Sequence, residues 1–252
     1  MQPDTTPSDP VWGCLGNVVT PTPTKPKVHV TVPMFELITK LPVTDVTVKV
    51  CAKIDVNCTT PLQTTLPSAK GIIAIDIDAG FDGYVLIEPM LPDAGCKIDS
   101  GQDAATCYYA LLSPSLVFFN PPLMDDTAYI TIPMLSPDTL ATLAKANGDT
   151  VDPALGAVFM EAVDCSFHAA KDVTVSLDST TMQTRGFYFT GSIPSLTASA
   201  TDSTGYAGFI NTPTGGRSVT GMLKPSQKFI GKTSVFARAG HISYTTLAPS
   251  QP

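Results

Sequence analysis

Asp45-Val46-Thr47-Val48-Lys49-Val50 leads to Ser68-Ala69-Lys70-Gly71-Ile72-Ile73-Ala74-Ile75. Further on, Asp172-Val173-Thr174-Val175-Ser176-Leu177 leads to Asp202-Ser203-Thr204-Gly205-Tyr206-Ala207-Gly208-Phe209. Each passage is an alternating strand, a polar stretch, a turn at glycine and a second strand. A pattern written twice sets the architecture before any single residue is read. The fold expected is all-β: two tandem antiparallel β-sandwiches with one short helix between them.

Composition agrees. The chain has 252 residues, 43% of them hydrophobic, enough for a packed core. Charged residues make up only 15%, below the usual quarter. The 23 prolines and 18 glycines are spread along the chain, as turn residues are in all-β proteins. Glutamate is scarce (Glu36, Glu88, Glu161) and aspartate abundant, a bias toward turns over helices.

Outward from the repeated passages, residues 1–27 read as an extended Pro/Thr-rich tail, because Pro21-Thr22-Pro23-Thr24-Lys25-Pro26 cannot be helical. The lone Trp12 in that tail is expected to dock on a domain surface. A first sandwich is expected over 28–133, with strands at 28–32, 46–50, 72–77, 84–87, 116–119 and 129–132. A linker follows over 134–151, in which Ser136-Pro137-Asp138 caps a helix that Asn147-Gly148 ends. The second sandwich spans 152–252, with strands at 157–163, 173–177, 186–190, 207–211, 218–223, 233–239 and 242–247.

The net charge of −7, with no basic stripe, speaks against nucleic-acid binding. No apolar run reaches the ~18 residues of a membrane-spanning helix. The polar start, Met1 to Pro10, does not read as a signal peptide and looks like an expression start on a mature secreted chain. Six cysteines point to disulfides and an oxidising compartment. Cys51 with Cys58 and Cys96 with Cys107 can each close a local loop; Cys14 and Cys165 remain to staple the tail to the second sandwich. Zinc is disfavoured, since no C-x2-C pair or His at ligand spacing accompanies them.

Catalytic motifs are lacking. His29, His168 and His241 are far apart, and there is no H-E-x-x-H, G-x-S-x-G, P-loop or G-x-G-x-x-G. No enzyme activity and no cofactor are expected. Asp76, Asp78 and Asp82 around Gly80 and Gly83 have the oxygen-ligand character of a calcium loop but lack its closing glutamate; Asp-rich strand-end turns are the favoured reading, and no metal site is expected. Tyr108 and Tyr109, beside the loop that Cys96 and Cys107 would pin, are the candidate ligand contacts. Alternation puts Phe187 and Phe189 on one strand face, expected to be core, and Tyr188 on the other.

Thr201-Asp202-x-x-Gly205, then Phe209, then Pro213-Thr214-Gly215 resembles the T-D-x-x-G…F…P-x-G signature of carboxypeptidase-regulatory-like domains, whose fold is the transthyretin-like (prealbumin-like) Greek-key sandwich. The first copy keeps only Gly71 of that turn. The layout of Trp12-Gly13-Cys14-Leu15, Val50-Cys51-Ala52, Gly80-Phe81-Asp82-Gly83-Tyr84 and Phe118-Phe119-Asn120-Pro121-Pro122 is similar to secreted or lipid-anchored proteins of myxobacteria and related δ-proteobacteria. The resemblance implies a scaffold or interaction module outside the cell or on the outer-membrane surface, with a lipid anchor compatible in the precursor. Its partner would be a protein or polysaccharide of the cell envelope. The alternative is a structural subunit that self-associates through strand edges. Some related sandwiches carry Lys–Asn crosslinks, for which Lys49 and Asn120 near Glu36 are the conceivable set.

Overall fold

A computed structural model describes residues 11–90, 112–126, 131–146, 148–191, 193–195, 197–224 and 226–251. Cys96, Cys107, Tyr108, Tyr109 and the first two residues of the strand expected at 129–132 lie outside these residues.

The chain is built of strands. The first half holds β1 (Lys27–Glu36), β2 (Val46–Ala52), β3 (Gln63–Thr65), β4 (Ile72–Asp78), β5 (Gly83–Pro89), β6 (Ser115–Phe118) and β7 (Ile132–Met134). The described residues hold one α-helix, α1 (Pro137–Ala146). The second half holds β8 (Gly156–Ala162), β9 (Val173–Leu177), β10 (Arg185–Thr190), β11 (Ile193–Ser195), β12 (Tyr206–Thr212), β13 (Gly215–Leu223), β14 (Lys228–Ala237) and β15 (Ile242–Leu247). The short strands β3 and β11 were not expected. They are three residues each and carry too little alternation to register in the sequence.

Three sheets result, with strand orders β4-β1-β7, β11-β10-β12-β8-β15-β6-β5-β2-β3 and β14-β13-β9. One pairing scheme occurs in both halves. β1 pairs antiparallel with β4 and parallel with β7; β8 pairs antiparallel with β12 and parallel with β15. In the facing sheets β5 pairs antiparallel with β2 and β6, and β13 with β9 and β14. The two halves join edge to edge, β6 lying parallel to β15 with Val117 opposite Tyr244. The large central sheet therefore runs through both halves.

Side-chain alternation decides which face each small sheet covers. In β1, Val28, Val30, Val32 and Met34 are buried and the residues between them more exposed. They meet Ile73, Ile75 and Ile77 of β4 and, across the sandwich, Val46, Val48, Val85, Ile87 and Val117. Tyr244 and Phe159 belong to this same core, which α1 closes with Leu140, Leu143 and Ala144. On the opposite face of the central sheet, Val158, Met160, Ala207 and Phe209 pack against Val219 and Val235 of the β14-β13-β9 sheet. β8 is buried on both faces for this reason, so its sequence is apolar without a break from Ala157 to Met160, ahead of Glu161.

Helix α1 begins as its cap residues dictate. The Thr139 amide donates to Ser136 Oγ at 3.2 Å, Asp138 lies in the first turn and Lys145 in the last. The turn before β12 explains its signature. Thr201 Oγ1 donates to Ala170 O and accepts from the Val173 amide. Asp202 Oδ1 accepts from the Thr204 amide at 2.8 Å. Gly205 has φ +70, and a Cβ there would stand 2.4 Å from Ala162 O. Gly71, in the matching position before β4, has φ +69 and a Cβ would stand 2.7 Å from Met34 O. Each glycine also accepts from its neighbouring strand, Ala162 N to Gly205 O and Met34 N to Gly71 O. Gly205→Ala combines strained backbone with a backbone clash. It is expected to cost about 2–4 kcal/mol, read as a lower urea midpoint.

Trp12 is 8% exposed and packs with Ala170, Val173, Ile230 and Leu247 of the second half. Cys14 and Cys165 are disulfide-bonded with Cα atoms 5.7 Å apart. The tail is thus pinned to the second half before the chain enters β1 of the first.

Candidate functional site

The layering leaves a step. The β4-β1-β7 sheet covers one face of the first half, and the β14-β13-β9 sheet covers the opposite face of the second half. On that opposite face, the first half presents Cys51, Tyr84, Leu86 and Leu116 with Phe118 packed against them. The cover here is the loop closed by the Cys51–Cys58 disulfide, with Cα atoms 5.3 Å apart. Between that loop and the edge of β14 lies a cleft of about 550 Å3, within the ordinary range of ligand sites.

Its floor is aromatic. Tyr84 and Phe118 stack with ring centroids 5.7 Å apart, as neighbours across the β5–β6 ladder. The Tyr84 hydroxyl donates to Asp55 O at 2.6 Å. Burial pushes the Tyr84 phenol above its ordinary pKa, and the nearby Arg238 offsets part of this. Arg238 donates from Nη2 to Val56 O, holding the loop against the second half. Inside the loop, Asp55 accepts from the Thr59 and Thr60 amides. The Thr60 and Thr59 bonds hold its carboxyl below the usual range.

The walls are charged. Lys53 and Asp82 on one side pair at 2.9 Å. Lys232, Ser234 and Phe236 of β14 form the other wall, flanked by Arg217 of β13 and by Asp178. Arg217 donates to the carbonyls of Pro213, Thr214 and Gly216. Neither Arg217 nor Lys232 pairs with a carboxylate among the described residues. The lining carries three cations, Lys53, Arg217 and Lys232, against two carboxylates, Asp82 and Asp178, in a chain of net charge −7.

None of the sequence candidates among the described residues maps to a shared centre. Asp76, Asp78 and Asp82 each have a separate basic partner: His29 at 2.8 Å, Lys27 at 3.4 Å and Lys53 at 2.9 Å. No group of ligating side chains with metal geometry occurs among the described residues. His168 lies 4.0 Å from Asp164, and His241 Nδ1 meets Ala239 O. The ring hydrogen bonds of His29 and His241 go to Asp76 and to the Ala239 carbonyl, with no serine, threonine or cysteine as partner. Phe187 and Phe189 are core, 2% and 0% exposed, while Tyr188 packs in the opposite cluster and accepts from the Val175 amide. Lys49 pairs with Glu88 at 2.6 Å; Asn120 donates to Thr246 O; Glu36 accepts from the Ile38 and Thr39 amides. Those three residues have different partners. The cleft itself was missed. The sequence places Phe118 only in a strand, and Lys232 and Arg217 are ordinary surface cations until β14 and the 51–58 loop lie side by side.

No helix among the described residues is long and apolar enough to cross a membrane. No protein-family model matches the chain, and no curated protein matches it in sequence. Among solved structures, the shaft pilin SpaA of Lactobacillus rhamnosus GG aligns over 90% of this chain and 100% of its own at 8% identity and TM-score 0.28. The minor pilin GBS52 of Streptococcus agalactiae aligns over 89% and 98% at 12% identity and TM-score 0.24. The TIE protein of Bacillus anthracis aligns over 90% of this chain at 9% identity and TM-score 0.26; this chain spans about a third (34%) of its length. Likenesses of this size carry no argument about function.

Proposed function

We propose that this chain is a non-catalytic binding scaffold, secreted or held at the cell surface, that takes a protein or glycan of the cell envelope into the cleft between its halves. The two halves, residues 28–133 and 152–252, are on this reading tandem copies of one transthyretin-like sandwich unit. The observation that carries the reading is the stepped cleft: an aromatic floor and charged walls, drawn from both halves, with no acid–base or nucleophile constellation among the described residues. Such a surface binds by shape and charge. The loop closed by Cys51 and Cys58 forms one wall. Tyr108 and Tyr109, in the stretch bounded by Cys96 and Cys107, are a second proposed contact. The disulfides favour an oxidising compartment.

The test is binding of the purified chain to isolated cell-envelope glycan and protein fractions. Lys53→Glu with Arg217→Glu is expected to weaken binding at least about tenfold and to lower the association rate most. Tyr108→Ala with Tyr109→Ala tests the second contact separately. Binding unchanged by both pairs of substitutions contradicts the proposal.

A second reading, a structural subunit that associates through strand edges, is favoured by the β6–β15 ladder, where an edge of one half already takes up an edge of the other. Sedimentation decides it: concentration-dependent assemblies are expected, and a strict monomer at high concentration contradicts it.

A further inference from the structure

The wall of the cleft formed by β14 is the edge of a sheet, and the pairing scheme says what such an edge accepts. In the order β14-β13-β9, no strand pairs with the outer side of β14 among the described residues. The direction of its backbone groups follows from two bonds. The Lys232 amide donates to Ser250 Oγ at 3.0 Å, and the Phe236 carbonyl accepts from Ser243 Oγ at 2.8 Å; both partners lie off β13. Backbone groups alternate sides along a strand, so the N–H and C=O of Ser234, midway between, point to the same outer edge. The 3.5 Å approach of Ser218 Oγ to Ser234 Oγ agrees, because side chains come closest at pairs that do not exchange backbone bonds. Ser234 is exposed, and the cleft runs alongside it.

The first half shows the same edge filled. β6 stands to β5 as β14 stands to β13, and the outer side of β6 carries β15 in a parallel ladder from Ser115 to Phe118. The matching position beside β14 is the cleft. A strand placed there would lie over Phe118 and Tyr84 with one set of alternate side chains. The other set would point outward beside Lys232 and Ser234, while Arg217, opposite Val235, lies on the inner face.

We infer that the cleft binds an extended peptide segment, which adds as a fourth strand parallel to β14 at Ser234, with apolar residues on the aromatic floor and acidic residues beside Lys232. This inference rests on the cleft being the binding site and names its ligand class. Backbone pairing supplies affinity that tolerates many sequences; the floor and Lys232 supply selection. The other exposed edges are less suited. Pro194 interrupts β11. Gln63 of β3 accepts from the Asp76 amide of β4, so those two edges face each other. On β9 both backbone groups of Val173 and the Val175 amide are taken by Thr201 and Tyr188. On β14 Ser250 takes the Lys232 amide and the Ile230 carbonyl, and Ser243 takes the Phe236 carbonyl. Among the described residues this leaves the Lys232 carbonyl, both groups of Ser234 and the Phe236 amide, the set that a parallel strand bonds.

The test uses the full chain and three synthetic ten-residue peptides: valine alternating with aspartate, with serine and with lysine. In the free protein, the Ser234 amide is expected to exchange with solvent at least about a hundredfold faster than the Thr233 and Val235 amides, which pair with β13. The valine–aspartate peptide is expected to slow Ser234 exchange and the valine–lysine peptide to bind at least about tenfold more weakly. Backbone N-methylation of the peptide at alternate residues is expected to abolish binding in one register and leave it in the other. Ser234 protected as well as Val235 in the free protein overturns the inference. So does the absence of any peptide that protects Ser234, or binding indifferent to N-methylation in both registers. If Lys53→Glu with Arg217→Glu abolishes envelope binding while no peptide protects Ser234, the binding site stands and strand addition falls.

Discussion

Replacing both Cys14 and Cys165 by serine is expected to lower stability by about 3–5 kcal/mol, a fall in Tm of roughly 10 °C for a chain of this size. The two residues are 151 apart in sequence. Cross-linking over that span restricts the unfolded chain more than a short loop does. The bond has a second consequence in the folded state. The segment it anchors carries Trp12 into a pocket of Ala170, Val173, Ile230 and Leu247. It also brings the Val11 carbonyl to the Cys165 amide. Without the bond, Trp12 must hold the segment unaided. Its fluorescence is therefore expected to shift to the red at temperatures below the main unfolding transition. A double variant with unchanged Tm and an unshifted Trp12 spectrum contradicts the arrangement.

Phe159→Ala is expected to cost about 3–5 kcal/mol. Phe159 is 2% exposed in the middle of the central sheet. Its ring centroid lies 5.2 Å from Tyr244, 5.3 Å from Tyr206, 5.5 Å from Phe189 and 6.5 Å from Phe187. Truncation leaves a cavity under four rings, held on a sheet that cannot collapse to fill it, so the cost belongs at the upper end for a core aromatic. Phe159→Leu keeps most of the volume and is expected to cost about 1–2 kcal/mol. Chemical denaturation at fixed pH checks both. The cleft lies on the opposite face of the sheet, so ligand binding by the surviving folded fraction is expected to be unchanged.

The strands that carry the core were legible because their side chains alternate: Val28-x-Val30-x-Val32 and Val46-x-Val48-x-Val50 announce a buried face directly. The T-D-x-x-G turn was legible because Gly205 must adopt a conformation that other residues resist, and Gly71 marks the same turn in the diverged copy. Helix α1 was announced by Ser136 and Pro137. The join between the halves was not legible. Pairing β6 with β15 depends on which sheet edges meet, and nothing in Leu116-Val117-Phe118 distinguishes a neighbour within its own half from one more than a hundred residues away. The parallel ladders were hidden for the same reason, since alternation does not encode strand direction. The cleft follows from that join. Its residues acquire a common role only once the third layer stops at β14 and the 51–58 loop begins. The deciding lever there is tertiary: Arg238 reaches from the β14–β15 turn to Val56 in the first half, a contact that no local pattern foreshadows.

The shared central sheet is what makes the cleft, and it has a direct consequence for how the chain opens. Amide exchange resolved by residue across a denaturant series measures it. If β6 and β15 are neighbours in one sheet, the amides that bridge them, within Ser115–Phe118 and Ile242–Leu247, are expected to exchange through a single global opening. They would then share one free energy and one denaturant dependence, spanning both halves. Two well-separated groups, with β6 opening with the first half and β15 remaining closed with the second, would contradict the account.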